Sequence, residues 1–457
     1  MLHGASKGVR QPPNPIGVEL AATTRAGAFT GRVAALFGTQ VFGMGLTLVN
    51  GILLARMLGP AAKGDYYLII LVPSTATALI LLGLPQAIGF FAARGQTVGL
   101  VGKAFWLTIV LSIVALIGTL LLLPRLIDSV ERGVPIEQIL FAFIAVPLGL
   151  SATFNTGIVL GRQAVRWKAA VNIAMPLATT FLIVLILGGL GSSVTGAIAV
   201  YLIAMAVGTI GFAIGAKRAT TDVPGGRPTS YLALLRYGLP LYPASLAVFL
   251  NYRVDVYLIA WLIADSSEAL GYYSMAVAIA ELVFFFPDAV STMFFPHVAG
   301  SPRHEADSQV AMVTRVTLLV SAAVAVAVIP AAYVLISIFL PAFGPSFLPL
   351  IVLLPGVVAL SVGKVIGGYM SGVARRAIVS YVTVSTVVVN VIANVFLTPR
   401  FGIVGAAAGS LVSYTFSSLL LTAIASRMTR TPISSFWIPR LSDIRYVATT
   451  ALALLHR

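Results

Sequence analysis

Within the stretch "NYRVDVYLIAWL" (251–262), Arg253 and Asp255 interrupt an apolar run, from Tyr237 to Ile263, that is otherwise free of charge. Glu281, Asp288 and Lys364 stand in equally apolar surroundings. At the centre of a lipid-facing helix each charge would cost about 2.5–3.5 kcal/mol, so all five must face protein or a water-filled cavity. A guanidinium in such a cavity presents a planar fork that donates two parallel, charge-assisted hydrogen bonds to an anion. A carboxylate there, whether Asp255, Glu281 or Asp288, can bind Na+ or exchange a proton and so couple movement to an ion gradient. Arg253 and Asp255 are two residues apart, which puts them on different sides of a helix, so each needs another partner. Glu281 lies at similar depth to Arg253, and the two can pair. That pair can be purely structural, or can keep Arg253 soluble until an anion arrives. Lys364 lies nearer the end of its run and either meets the anion as it enters or snorkels to the interface. Arg32 and Arg56, at the two ends of the first apolar run, extend the cationic set.

The elements that position these residues are membrane helices. Of 457 residues, 59% are hydrophobic and 9% charged, against about 25% charged in a soluble domain. Twelve runs approach the ~20 apolar residues that cross ~30 Å of hydrocarbon: 33–55, 66–84, 105–124, 137–160, 169–189, 194–216, 237–263, 269–295, 312–340, 347–373, 378–397 and 402–426. They show no strand-like alternation, which excludes a barrel, and they leave no room for a soluble domain. The absence of cysteine excludes disulfides and thiolate metal sites, and the four histidines fall in tails or one loop. Pro73, Pro147, Pro176, Pro287, Pro330 and Pro355 are candidate hinges. Asn50, Gln40, Asn155, Asn390 and Asn394 are expected to bond between helices.

With both termini in the cytoplasm, 22 of the 29 Lys and Arg residues fall inside and five outside, with Arg253 and Lys364 within spans. This positive-inside asymmetry accounts for most of the net charge of +15 through contact with anionic inner-leaflet lipid. No nucleic-acid partner is implied, because no basic face interleaved with aromatics is visible.

The chain also repeats itself. Gly64 and Gly271 are 207 apart, Pro85 and Pro287 are 202 apart, Gly161 and Gly372 are 211 apart, and "VTGAIA" (194–199) precedes "IVGAAA" (403–408) by 209. Marks in the same order at nearly constant offset indicate a duplicated six-helix unit inserted twice in the same sense. Such parallel repeats are related by an axis along the membrane normal, with a cavity between them. The expected organisation is a flexible tail (1–30), a first lobe (31–216), a basic linker (217–236), a second lobe (237–427) and a basic interfacial segment (428–457) with Trp437 at headgroup depth.

"LARMLGPAAKGDYYL" (54–68), "GLPQAIGFFAARG" (83–95), "RYGLPLYPASLAVFLNYRVDVYLIAWL" (236–262) and "TPRFGIVGAAAGSLVS" (398–413) resemble the polysaccharide-transport (Wzx-type flippase) branch of the multidrug/oligosaccharidyl-lipid/polysaccharide (MOP) exporter superfamily. The resemblance runs from about residue 30 to 427. It implies two six-helix lobes around a central, often cationic cavity that rock between inward-open and outward-open states. It also implies transport of a lipid-linked glycan, usually on undecaprenyl diphosphate, across the bacterial cytoplasmic membrane, beside other polysaccharide-assembly membrane proteins. Asp255 matches an acidic residue common on the family's seventh helix, whereas relatives commonly place the basic residue after the acid and not, as Arg253, before it. In this reading Arg253, Lys364, Arg32 and Arg56 hold the diphosphate. Asp255, Glu281 and Asp288 serve as counter-charges or as sites for Na+ or H+, the coupling ions considered, with no other cofactor. The alternative within the same fold is a cation-coupled multidrug exporter. A membrane enzyme is not expected, since there is no large outer loop for catalytic carboxylates and no G-x-x-x-x-G-K-[ST] phosphate loop.

Overall fold

The computed structural model describes residues 15–129, 135–221, 227–264, 266–443 and 445, and the side chains of all of these except 15–37, 122–129, 296 and 376. Among the described residues the protein is helical, with one isolated bridge between Val98 and Pro228 and no strand. Ten helices are long and apolar enough to cross a membrane. Two of them, Gly38–Ile80 with 43 residues and Ala377–Thr429 with 53, would measure about 65 and 80 Å at 1.5 Å per residue, twice the hydrocarbon thickness. Each is divided by a glycine outside helical geometry, Gly59 (φ 74°) and Gly402 (φ 59°). Only glycine adopts such conformations without a Cβ penalty, and each glycine separates two crossings.

The spans are therefore α1 (15–58), α2 (60–93), α3 (Leu100–Ser129), α4 (Ile136–Gly161), α5 (Val165–Leu187), α6 (Val194–Thr221), α7 (Tyr231–Leu262), α8 (Ser266–Gly300), α9 (Arg303–Phe339), α10 (Pro341–Gly372), α11 (376–401) and α12 (403–429). Three expectations change. The first helix reaches back to Pro15, so 15–30 is helical and not a flexible tail: Pro15 suits a first helical position, and the Ala- and Leu-containing stretch after it has no further proline. The second span begins at Pro60, which moves Lys63 from an outer loop into α2. The linker is also shorter, because Tyr231–Gly238 is already helical, capped by the Ser230 hydroxyl, which accepts from the Ala233 N–H at 3.1 Å.

The duplication is visible in the backbone. α4 ends with Gln163 in the left-handed region (φ 54°), where the Ala164 N–H donates to Val159 O at 2.8 Å and the Gln163 N–H to Leu160 O at 3.0 Å. α10 ends with Ala374 (φ 61°), the Arg375 N–H donating to Met370 O at 2.8 Å and the Ala374 N–H to Ser371 O at 3.3 Å. Both are Schellman terminations, and every atom pair recurs at the same offset of 211. α2 and α8 are interrupted just before their equivalent prolines, at Leu82–Gly83 (φ 47° and 69°) and in the 3-10 turn Glu281–Phe284. A proline has no N–H for the preceding turn and its ring crowds that turn's carbonyl, so both breaks follow from Pro85 and Pro287.

The lobes meet along α2. Gly64 and Gly271, the equivalent pair, pack so closely that a Cβ on Gly64 would overlap the Ser267 carbonyl and one on Gly271 the Pro60 carbonyl. Gly83 and Gly238 approach in the same way, backbone to backbone. Ala55 and Leu71 of the first lobe join the buried apolar cluster of the second, around Tyr273, Phe284 and Leu350.

The C-terminal segment differs from the expected interfacial helix. It packs on the second lobe: Phe436 is fully buried and the Trp437 indole donates to Thr422 Oγ1 at 3.2 Å. Arg315 of α9 donates to both carboxylate oxygens of Asp443 at 2.6 and 3.2 Å and to Ser435 O at 2.7 Å. A buried guanidinium and carboxylate satisfy one another here, and this pairing holds residues 434–443 against protein. Residues 446–457 lie outside the described ones.

Candidate functional site

Arg253 lies in the middle of α7 with its side chain 30% exposed, where second-lobe α7 and α8 meet first-lobe α2. Its Nη1 donates to the Tyr67 hydroxyl of α2 at 3.0 Å and to Glu281 Oε1 of α8 at 3.4 Å, and Glu281 is 38% exposed. The pairing with Glu281 thus forms. Tyr67, missed in the sequence reading, brings the first lobe into the cluster. Its signal stands three residues after Gly64, which serves above only to mark the repeat.

Two turns further along α8, Asp288 Oδ1 accepts from Lys364 Nζ of α10 at 2.6 Å, with Lys364 16% and Asp288 54% exposed. The ammonium also sits 4.1 Å from the Phe284 ring centre and 5.7 Å from that of Tyr252, a cation–π arrangement. Neither snorkelling for Lys364 nor simple solvation for Asp288 describes this. They are a second ion pair, and Tyr252, Phe284 and Tyr414, edge to face at 5.8–6.3 Å, lie beside both.

Asp255 is elsewhere. It is 3% exposed and accepts from the Val256 N–H at 2.9 Å, from the Tyr273 hydroxyl and from the Ser410 hydroxyl at 3.4 Å. These bonds tie α7 to α8 and α12, and Asp255 faces no open space. Arg56 is exposed near the Gly59 break and joins no ion pair among the described residues. The side chain of Arg32 lies outside the described residues. The structure therefore forms two ion pairs from Arg253, Glu281, Lys364 and Asp288, while Asp255 and Arg56 stand apart from them.

A cavity of about 470 Å³ opens beside Lys364 within the second lobe, lined by Asn251, Tyr252, Ser291, Thr292 and Ser417 among others. The Asn251 side-chain amide oxygen, Oδ1, is buried without a hydrogen bond. Towards the Gly59 end, first-lobe charges grip second-lobe hydroxyls. Lys63, 7% exposed, donates to Ser274 Oγ at 2.7 Å, and Ser267 donates to Asp65 at 2.5 Å, on either side of the Gly64–Gly271 contact. Of the other polar residues, Asn50 donates to Pro176 O at 2.9 Å and Asn390 to Ser413 at 3.1 Å, both between helices, whereas Asn155 and Asn394 donate within their own helices, to Ser151 O at 2.8 Å and Asn390 O at 3.0 Å.

Arg253, 30% exposed at the seam of the lobes, and Lys364, 16% exposed within the second lobe, are thus each paired with a carboxylate. Residues 30–297, more than half of the chain, match the model of the family described as polysaccharide biosynthesis protein. The chain belongs to this family. A probable low-salt glycan biosynthesis flippase, Agl15 of Haloferax volcanii, is 23% identical over 396 residues, covering 84% of this chain and 81% of that one. Among solved structures, the lipid II flippase MurJ in an inward closed conformation superposes with a TM-score of 0.67 at 14% identity, covering 88% of this chain and 89% of its own. An inward-facing multidrug transporter of the MATE family gives 0.60 at 15%, covering 88% and 98%. At these identities the structural likeness is one of fold: the family member is a multi-pass membrane protein with the two-lobe, twelve-helix architecture of the MOP superfamily.

Proposed function

We propose that this family member is a flippase. It moves a lipid-linked oligosaccharide of the undecaprenyl-diphosphate type from the cytoplasmic to the outer leaflet of a bacterial cytoplasmic membrane, by alternating access, for surface polysaccharide assembly. The observation that carries this reading is Arg253: a guanidinium, 30% exposed at the seam of the lobes, whose Nη1 donates to Tyr67 of the first lobe and Glu281 of the second. A diphosphate entering between the lobes exchanges Glu281 for its own oxygens and takes bidentate, charge-assisted bonds. Lys364 supplies a second cation, the hydroxyl-lined cavity beside it faces the sugar, and the prenyl tail stays in lipid.

Displacement from their cations leaves Glu281 and Asp288 free to take up H+ or Na+, so in this reading coupling rests with these two, and Asp255 holds the helices that carry them. Export of a cationic drug fits less well, because Glu281 and Asp288 are each engaged by a cation and Asp255 is enclosed. Both termini are cytoplasmic, on the Lys/Arg distribution, and the chain performs transport without covalent chemistry. The direct test is headgroup flipping of an undecaprenyl-diphosphate-linked oligosaccharide in proteoliposomes. Arg253→Ala is expected to lower the rate at least about tenfold, the equivalent of about 1.4 kcal/mol. A folded variant flipping at the normal rate would refute the role of Arg253.

A further inference from the structure

At the end of the second lobe where α9 begins and α10 and α12 finish, a cavity of about 480 Å³ is walled by Arg303, Arg375 and Arg427 and floored by Ile378, Ile424 and Met428. Arg303 is 48% exposed and shares its guanidinium with Asp307 at 2.9 Å. Arg375 and Arg427 are exposed, and neither joins an ion pair among the described residues. With two of these three cations in no ion pair among the described residues, the concavity calls for an anion, and guanidinium groups suit phosphate oxygens in particular.

The duplication supplies an internal control. On the offset of 211 that relates the two Schellman ends, Ile378 stands where the first lobe has Trp167. On the offset of 209 set by the last pair of repeats, Arg427 stands where it has Arg218 and Ile424 where it has Gly215. In the first lobe the Trp167 ring lies against Gly215, and the Arg218 guanidinium sits 5.3 Å from that ring's centre. The equivalent space is thus filled by the protein's own indole, which also occupies its arginine. In the second lobe the smaller Ile378 leaves that space open.

The apolar floor continues onto a lipid-facing surface. Tyr381, Val384, Val388 and Ile392 of α11 are 75%, 44%, 53% and 52% exposed, and their three- and four-residue spacing makes one helical stripe running from Ile378. A phosphate in the basin would have an acyl chain's path beside it.

We propose that this basin binds the phosphate-bearing headgroup of an anionic phospholipid, with Arg375 and Arg427 as its principal donors, Arg303 at its rim and the α11 stripe beneath its acyl chain. The site is separate from the Arg253 cluster and does not depend on what the protein transports. The test is native mass spectrometry of the intact protein, exchanged from detergent containing phosphatidylglycerol, phosphatidylcholine or inorganic phosphate alone. Retention of at least one phosphatidylglycerol, at least about fivefold above phosphatidylcholine, is expected. Arg375→Gln with Arg427→Gln should remove the preference, and Ile378→Trp should remove it with every charge kept. Arg218→Gln in the first lobe should leave it intact, and thermal unfolding checks that each variant is folded. Adducts of inorganic phosphate that outcompete the lipid would make the ligand a soluble anion and overturn the lipid assignment. A phosphatidylglycerol preference unchanged in both the folded double variant and the folded Ile378→Trp variant would overturn the site.

Discussion

Gln163 in the first lobe and Ala374 in the second close equivalent helices with the same hydrogen bonds, yet the chemistry placed on the two copies is different. Lys364 stands, at the offset of 211, where the first lobe has Thr153, whose hydroxyl merely donates back to Gly149 O at 2.6 Å. Asp288 stands, at 202, where it has Gln86, which donates to Ser245 at 3.1 Å. The first lobe contributes Tyr67, Lys63 and Asp65 to the seam, and the Arg253–Glu281 and Lys364–Asp288 pairs lie on the second. Duplication preserved what the backbone needs, namely helix ends, breaks before proline and glycine contacts. The side chains at Thr153/Lys364 and Gln86/Asp288 differ because none of these backbone features depends on them.

The comparison breaks most severely at the shared contact. Gly64→Val puts a branched side chain into the Ser267 carbonyl, and overpacking against backbone has no rotamer escape. The expected outcome is loss of monodisperse protein on size-exclusion chromatography, whereas the same substitution at Gly51, with open space around it, should be tolerated.

Next in size is the strap found on the second lobe. Asp443→Ala leaves Arg315 buried and unpaired, which typically costs about 3–5 kcal/mol, and thermal unfolding in detergent should show it as a clear fall in Tm. The Arg315 guanidinium beside Asp443 holds its carboxyl below the usual carboxylate range. Its contribution is therefore complete above the ordinary value of about 4 and is lost as pH falls through the depressed one. A Tm-against-pH curve of Asp443→Asn should lack that acid-side decline.

Making the second lobe resemble the first, by Lys364→Thr with Asp288→Gln, removes an ion pair as a unit and leaves no orphaned charge. Stability should change by less than about 1 kcal/mol, as for other partly exposed pairs, while flipping falls severalfold. A large stability loss with normal flipping would make this pair structural. The smallest effect is expected from Tyr67→Phe, which deletes one hydrogen bond to Arg253. A two- to fivefold lower rate at unchanged Tm would show that the first lobe aims the guanidinium.

Much of this architecture is legible in the chain because membrane insertion writes it in composition. The spans follow from apolar length, the repeat from spaced glycines and prolines, and the Arg253–Glu281 pair from equal depth. What the sequence hid depends on tertiary neighbours. Lys63 was counted as an outer-loop residue because nothing local shows that Gly59 alone divides two crossings. Lys364 and Asp288 are 76 residues apart, and only the α8–α10 packing joins them. Asp255, read by analogy as a cavity carboxylate, is enclosed because Tyr273 and Ser410 reach it from two other helices. The C-terminal strap escaped because Arg315, near a span end, was read as a topology signal and not as half of a buried pair.

The two equivalent left-handed helix ends, at Gln163 and Ala374, have a practical use. Gln163 and Ala374 occupy a conformation that costs a residue with a Cβ roughly 1–2 kcal/mol and that glycine adopts freely. Each copy therefore carries the same small, removable strain, at a position that is in neither the Arg253–Glu281 nor the Lys364–Asp288 pair. Glycine at both positions should lengthen survival in harsh, short-chain detergents, giving a hardier preparation whose transport chemistry is untouched.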